Sequence, residues 1–561
     1  MRLGDANALA PLALLGVLSG AAAGALILAF RAVVEGVLGG TISSGDPEGF
    51  EQLPASVRFA LPIIGALLVA ALFRWMGKRV TQVGVVHVME RLAYHQGNMP
   101  LSNTVAQFVG AVISLCSGHS MGREGPGVHL GAAAGSWVGH GLGVPNNSMR
   151  TLIACGTAAS IAASFNTPIA GVIFAMEVVM MEYTIAGFTP VILASAVAAW
   201  MSQAVYGDAA AFTVPTLNLG SLLELPYIVF VGAVIGLFAA LFVGVTRWMQ
   251  TRVQAWSVWV RFALAGTATG AIAVFVPAVM GIGYDTVEAT LVDHFGLYML
   301  MTIFVAKLFA SIACVGFGLP AGLIAPTLFL GATAGAALGG IGQELAPDLS
   351  ADPGFYAILG MGAMMGACLH APLAALMAML ELTANVNIIL PGMVCIVSAV
   401  LVARTMRTEA IFVTLLRVRG ADYTSDPIAL ALSRSGISTR MSAHYELNNT
   451  TLPGQDGWQR FAESDKRWII FEGPDSQTHV FERQAITDWL LQGPSDETGD
   501  LARPVEIIKA RLTVRATVQE ARERLGATGA EVLVVRRMDN RICGIVTADM
   551  LGATVPPPGS R

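Results

Sequence analysis

Charge is gathered at one end of this chain, and that asymmetry limits what the chain can fold into. From Ala8 to about Thr414 the sequence is a succession of apolar runs broken by short polar loops. Beyond about Gly420 charged residues are frequent and no long apolar run remains. Only 13% of the 561 residues are charged and 54% are hydrophobic, against roughly 25% charge in an ordinary soluble domain. The first part therefore belongs in lipid or against other apolar helices, and the second reads as a soluble tail. A net charge of −5 argues against a nucleic-acid partner. The first run, Ala10 to Phe30, shows no clear cleavage site and reads as a retained helix. Cys116, Cys155, Cys314, Cys368, Cys395 and Cys543 form no close pair. They read as small buried residues, with neither a disulfide framework nor a metal site implied.

The apolar runs are irregular. Ile228–Thr246 and Leu297–Val315 are long enough to span, whereas Gly127–Val144 and Thr167–Met180 are short and interrupted by Gly and Pro. Non-helical backbone at membrane depth survives only inside protein or beside a water-filled cavity. Broken helices therefore point to a transport pathway.

An internal repeat agrees. GREGPGVHLGAAAG from Gly122 matches GLIAPTLFLGATAG from Gly322 at an offset of 200 residues, pairing Pro126 with Pro326 and Gly131 with Gly331. GTAASIAASFNTPIAGVIFAME from Gly156 matches GMGAMMGACLHAPLAALMAMLE from Gly360 at an offset of 204, pairing Pro168 with Pro372 and Glu177 with Glu381. Two Pro pairs and a Glu pair in order imply duplication. Inverted halves are a common transporter arrangement.

Gly122-Arg123-Glu124-Gly125-Pro126 opens an Ala/Gly-rich segment. Pro126 suits the first turn of a helix, and the glycines allow close backbone approach. The start of such a helix is an anion site, with free N–H groups and a partial positive end. Gly322-Leu323-Ile324-Ala325-Pro326 offers the same from the other half. Two such starts can hold one anion without a full positive charge, which would bind too tightly for flux. A carboxylate at Glu124 competes with the anion for those donors and becomes a gate if it leaves on protonation. The residues alone leave a second reading open, in which Arg123 and Glu124 form a structural pair.

GREGP, the repeat and GLIAP, with FNTPIAGVIFAMEV at Phe165, GIGYDTVE at Gly281 and AIFVTLLRVRG at Ala410, resemble the CLC chloride channel and transporter family over roughly residues 10 to 420. The resemblance implies a homodimer with a separate anion pathway in each subunit, helix N-termini around the anion, and gating by Glu124. The expected anion-site residues are Gly122, Arg123, Gly125, Pro126, Gly322, Leu323, Ile324, Val83, Gly84 and Phe412.

Against the family pattern, several residues differ. The family's G-S-G-I-P resembles Gln82-Val83-Gly84-Val85-Val86 here, with Val83 in the serine place and Val86 in the proline place; a shifted alignment remains open. Phe412 takes the place of the family's inner tyrosine. Loss of two hydrogen bonds to a charged group weakens a site by about 1.5–3 kcal/mol each. The inner proton-relay glutamate of many exchangers is Val178 here, as is usual in the family's channels, although some exchangers also lack it. Glu177 and Glu381 read as helix-end residues. A family lysine upstream of GREGP is matched by Gln107, leaving Arg123 and Lys307 as intramembrane cations. His87, His119 and His129 lie near the motifs and either tune gating or are satisfied polar residues. Met176, Met180 and Met181 read as packing.

Residues 441–561 alternate short strands and helices. VEIIKARLTV, TVQEARERLGATGAEVLVVRR and RICGIVTADML resemble the second half of a CBS pair, and RWIIFEG with AITDWLLQG a degenerate first half. Gly544, Thr547 and Asp549 are one residue too tight for the family's nucleotide motif, so a regulatory or dimerising role is expected rather than adenine-nucleotide binding. The expected fold is an all-α multi-pass membrane protein with an inverted repeat in residues 1–418, a linker over 419–440, and a cytoplasmic α/β CBS-like domain over 441–561. No enzymatic activity and no cofactor are expected; chloride is the bound ion. The location is a bacterial-type inner membrane. Val178 favours a passive chloride channel. A proton-coupled chloride exchanger is the alternative, fluoride export is a minor one because the fluoride branch replaces the GREGP proline, and a membrane-tethered ion sensor is disfavoured by so complete a pathway motif.

Overall fold

The structure, a computed structural model, describes residues 9–41, 49–77, 80–183, 185–208, 212, 218–320, 322–421, 432–433, 435–449, 452–453, 457–473, 477–492 and 504–552. Half of the expected linker 419–440 lies outside these. The chain divides into two compact units. One is Leu9–Leu142 with Met149–Thr424, and the other is Ser425–Arg561 with the turn Gly143–Ser148.

The larger unit repeats one set of eight helices. The first set is α1 (Leu9–Thr41), α2 (Ala55–Met76), α3 (Val85–Tyr94), α4 (Leu101–Cys116), α5 (Glu124–Gly141), α6 (Asn146–Phe165), α7 (Pro168–Phe174) and α8 (Ile185–Tyr206). The second is α9 (Leu225–Val253), α10 (Val258–Phe275), α11 (Tyr284–Leu291), α12 (Leu297–Phe317), α13 (Ile324–Leu345), α14 (Pro353–Leu369), α15 (Pro372–Thr383) and α16 (Ile389–Thr405). A further helix, α17 (Ile411–Val418), follows.

Packing repeats with the sequence. Helix α1 lies on α5 and α8 as α9 lies on α13 and α16; α2 lies on α4 as α10 lies on α12. The halves meet along α2–α10 and α7–α15. Small residues set the spacing. A Cβ on Gly131 would lie 2.2 Å from the Gly156 carbonyl, and one on Gly331 2.1 Å from the Gly360 carbonyl. Helices α5–α6 and α13–α14 therefore touch backbone to backbone, as small residues permit in membranes. The starts of α5 and α13 meet head to head, where Gly122 and Gly322 exchange two antiparallel backbone hydrogen bonds of 3.0 and 2.7 Å. That is the contact of an inverted pair.

Among the described residues, eight helices are long and apolar enough to cross a membrane. The expected spans fall within α9 and α12. The short segments differ in detail. The run expected from Gly127 begins earlier, at Glu124, which is itself the first helical residue. The run from Thr167 is α7, begun by Pro168, followed by a wide π-helical turn at Ala175–Met180; such turns interrupt α-helices mostly at functional sites.

The smaller unit holds two three-stranded sheets, β1 (Tyr445–Asn448), β2 (Trp468–Glu472) and β3 (Thr478–Glu482), then β4 (Lys509–Thr513), β5 (Val532–Arg536) and β6 (Ile542–Thr547). Each sheet pairs its first two strands parallel and its last two antiparallel. Helix α18 (Arg483–Gln492) follows β3, and α19 (Val518–Thr528) precedes β5. The sheets share a core in which Trp468, Ile470 and Val480 meet Val532, Val534 and Ile545. Buried Arg536 ties them, donating to Glu472 at 2.7 Å and to Thr478 Oγ1 at 2.8 Å. This doubled arrangement of small mixed sheets is consistent with the expected CBS-like domain.

Candidate functional site

Glu124 sits where α5 and α13 begin, and only 1% of it is exposed. Its carboxylate faces the backbone amides of Glu124 itself and of Ala325. The Tyr284 hydroxyl donates to Oε1 at 3.5 Å. Two glycines make the seat. A Cβ on Gly122 would lie 1.9 Å from Glu124 Oε2, and one on Gly322 2.6 Å. Gly125 closes on the same point, its amide nitrogen 2.7 Å from that Gly322 position. Pro126 falls in the first turn of α5, and Leu323 and Ile324 are buried at the start of α13. The partial positive ends of an 18-residue and a 22-residue helix thus converge on one carboxylate. A largely apolar cavity borders it, lined by Phe165, Phe174, Tyr284, Ile324 and Leu328 among others. Arg123 turns elsewhere: its guanidinium donates to the Ser164 carbonyl at 2.9 Å, lies 3.8 Å from Glu35, and covers the rings of Phe165 and Tyr284.

Gly84 caps α3 with φ +83°, a conformation that favours glycine. Val83 beside it is buried, and the Gln82 carbonyl receives the Asn103 amide at 2.9 Å. Gly84 was expected to offer its amide to an anion, but that N–H donates to His129 Nδ1 at 3.1 Å. Helix α3 packs against α5, α17 and the π-helical turn. Those elements carry His129, buried Phe412 and buried Val178, so Phe412 and Val178 lie on elements that each pack against α3, the helix that Val83 precedes.

The voltage-gated chloride channel family matches residues 65–404. The chain belongs to the CLC family. A protein of Ralstonia nicotianae named as a ClcB-like chloride channel protein is 31% identical over 382 residues, covering 66% of this chain and 88% of its own. The H(+)/Cl(−) exchange transporter ClcA of Vibrio cholerae is 31% identical over 325 residues, 55% of this chain and 68% of its own. Among solved structures, a slow cyanobacterial Cl−/H+ antiporter is similar in fold, with TM-score 0.65 at 23% identity over 72% of this chain and 97% of its own. A eukaryotic CLC transporter reaches TM-score 0.61 at 18% identity over 96% of this chain and 97% of its own. This CLC chain is thus a multi-pass membrane protein of an anion-transport family.

Other residues find structural work in the CLC unit. Glu177 accepts the amides of Leu373 and Ala374 at 3.4 and 2.7 Å, at the start of α15. Glu381 accepts those of Ile169 and Ala170 at 2.9 and 2.7 Å, at the start of α7. Each half therefore caps a helix of the other. Lys307 is buried, donates to the carbonyls of Val279 and Gly281 at 3.1 Å, and lies over the Phe329 ring. Gln107 is buried and donates to the Pro320 carbonyl at 2.9 Å. His119 is held by Ser117 at 2.9 Å and the Ser114 carbonyl at 3.2 Å. Met176 and Met180 are buried, while Met181 is the left-handed residue that ends the π-helical turn. In the tail, Gly544 faces Met441, Thr547 ends β6 and Asp549 opens a short turn.

One site residue was not singled out from the sequence: Tyr284, which reaches Glu124. His129, read only as one of three histidines near the motifs, binds Gly84. A signal existed for Tyr284: Gly283 precedes α11 as Gly84 precedes α3, 199 residues apart and both at positive φ.

Proposed function

We propose that this CLC chain exchanges chloride for protons, with Glu124 leaving the anion path when protonated. The observation that carries the reading is the Glu124 carboxylate seated between Gly122 and Gly322, at the crossing of two helix starts, where an anion needs the same donors. Relatives named as H(+)/Cl(−) exchangers at 31% identity support proton coupling over a passive channel. The anion site is formed by the starts of α5 and α13, with Gly122, Gly125, Pro126, Gly322, Leu323 and Ile324, and by the α3 start at Val83 and Gly84, with the ring edge of Phe412. The subunit works within a homodimer in a bacterial-type inner membrane. The tail, residues 441–561, lies on the cytoplasmic side as a regulatory domain without adenine nucleotide.

Val178 supports a second reading, a passive chloride channel, since no carboxylate stands at the inner relay place. Reconstitution in liposomes under a chloride gradient, following chloride and pH together, separates the two. Exchange drives protons uphill. Chloride flux with no proton movement sinks the exchange reading in favour of the channel, and no chloride flux in either wild type or Glu124→Gln sinks both.

A further inference from the structure

Two imidazoles are buried together beside the start of α3, and neither belongs to the crossing at Glu124. His87 on α3 and His129 on α5 are 1% and 0% exposed. Their rings stack, with centroids 5.3 Å apart and planes 14° from parallel. His119 shows what a structural histidine in this unit looks like, its Nδ1 held between a hydroxyl and a carbonyl. In the stacked pair, Nε2 of each ring lacks a hydrogen-bond partner among the described residues, and His87 Nδ1 has only Glu90 Oε2 at 3.7 Å, beyond hydrogen-bond distance. Buried polar groups are rarely left so.

The one hydrogen bond that the pair makes is informative. A backbone N–H can only donate, so His129 Nδ1 accepts from Gly84 and carries no proton. Neutral His129 therefore holds its hydrogen on Nε2. A further proton must bind Nδ1. An imidazolium has no acceptor nitrogen, so the bond to Gly84 breaks when that proton arrives. The Gly84 amide is then free, half-buried, at the start of α3 and beside a new positive charge.

We propose that the His87–His129 pair is a proton-binding site that controls the anion site at the α3 start: protonation of His129 releases the Gly84 amide to chloride. One proton enters from water, one imidazole becomes imidazolium, and one chloride balances its charge at the freed amide. Departure of both restores the neutral pair and the Gly84–His129 bond. The stack limits the pair to one proton, since two imidazolium rings at this separation repel. Burial opposes a positive charge on either ring most strongly, and Arg91 on α3 also opposes it, while Glu90 Oε2, 3.7 Å from His87 Nδ1, favours it. Arg419, following α17, opposes it too. Val178, on the packed π-helical turn, adds no charge.

The inference rests on the reading of the α3 start as part of the anion path. Its test removes the other titrating group first. Purified full-length Glu124→Gln protein is titrated calorimetrically with sodium chloride at pH 5 and pH 7.5. The expected result is affinity tighter at pH 5 by about fivefold or more, within the ordinary range of site–site coupling. By reciprocity, chloride added at pH 5 to 6 in weak buffer draws protons onto the protein. Adding His129→Gln, whose side-chain oxygen accepts from Gly84 at every pH, removes both effects, and His87→Gln reduces them. Chloride binding with no pH dependence in Glu124→Gln, or with the same dependence after His129→Gln, overturns the proposal alone. Absence of chloride binding at any pH overturns the anion-path reading with it. Should the double variant fail to fold, the nitrogen-15 resonances of His129 in the Glu124→Gln protein decide. A resonance that keeps its unprotonated Nδ1 at pH 5 with saturating chloride overturns the proposal, and one that gains the proton there supports it.

Discussion

The two halves of the membrane unit share a backbone and differ in chemistry. At an offset of 200 residues Gly122 meets Gly322 and Pro126 meets Pro326, and both helix starts reach the same point. The side chains between them diverge: Arg123 and Glu124 stand against Leu323 and Ile324. The same offset sets Gln107 against Lys307 and His129 against Phe329. In the second half a fixed cation binds carbonyls of the Gly281 turn and covers an aromatic ring. In the first half a neutral amide and an imidazole occupy those places. Duplication supplied the converging dipoles, which need two copies. On the function proposed above, the groups that gain and lose protons are confined to one copy, while the other serves as a rigid mate.

The sharpest way to break that division is to move the gate's chemistry across it. Glu124→Gln is expected to remove most of the pH dependence of chloride flux in liposomes, leaving the smaller part that the His87–His129 pair supplies. Ile324→Gln, which puts the same amide at the matching place, is expected to leave the pH dependence of wild type. If both variants lose it, the halves share the gate and the division is wrong.

The fixed cation gives the next largest effect. Lys307→Met leaves buried carbonyls of Val279 and Gly281 without their donor, at a cost of about 3 kcal/mol. Gln107→Leu removes one donor from the Pro320 carbonyl and is expected to cost about 1 kcal/mol. Thermal melting in detergent micelles compares them. Equal losses would remove the contrast between a rigid half and a proton-handling half.

Where the halves are alike, mutations should be alike too. Glu177→Ala and Glu381→Ala each strip two backbone amides of a carboxylate cap across the repeat boundary. Each is expected to lower stability by about 2 kcal/mol, read by the same melts. A loss confined to Glu177→Ala, accompanied by lost proton movement, would instead make Glu177 a relay.

Legibility followed the same line between backbone and side chain. The repeat, the broken helices and the anion-binding starts were readable because Gly and Pro mark backbone requirements directly, as at Gly122, Pro126, Pro168 and Pro326. The helix-end role of Glu177 was readable because Glu381 repeats it. The partner of each was not, since reciprocal capping joins positions about 200 residues apart and only packing brings them together. Arg123 beside Glu124 in sequence suggested a pair; the helix start turns Arg123 toward Glu35 instead. His129 looked like one histidine among three near the motifs. Its bond to Gly84 spans 45 residues and depends on how α3 meets α5, which no local pattern encodes.

The smallest expected effect tests whether the two helix-capping glycines are equivalent. Gly84 and Gly283 have φ of +83° and +81° before α3 and α11, but ψ of −172° puts Gly84 in a region nearly closed to side chains, whereas ψ of 36° puts Gly283 in the left-handed helical region, where alanine costs about 1–2 kcal/mol. Their surroundings differ. A Cβ on Gly84 meets nothing nearer than Gln107 Oε1 at 4.0 Å, whereas one on Gly283 meets the Phe329 ring at 2.7 Å and Lys307 Nζ at 3.3 Å. Gly283→Ala must displace an aromatic ring already held by a cation, and overpacking of this kind adds about 1 kcal/mol or more. Paired melts should therefore fall within about 1 kcal/mol of each other, the backbone cost at Gly84 offsetting the packing cost at Gly283. Gly283→Ala melting well above Gly84→Ala would mean that the Lys307–Phe329 contact yields easily, and the second half would then be no stiffer there than the first.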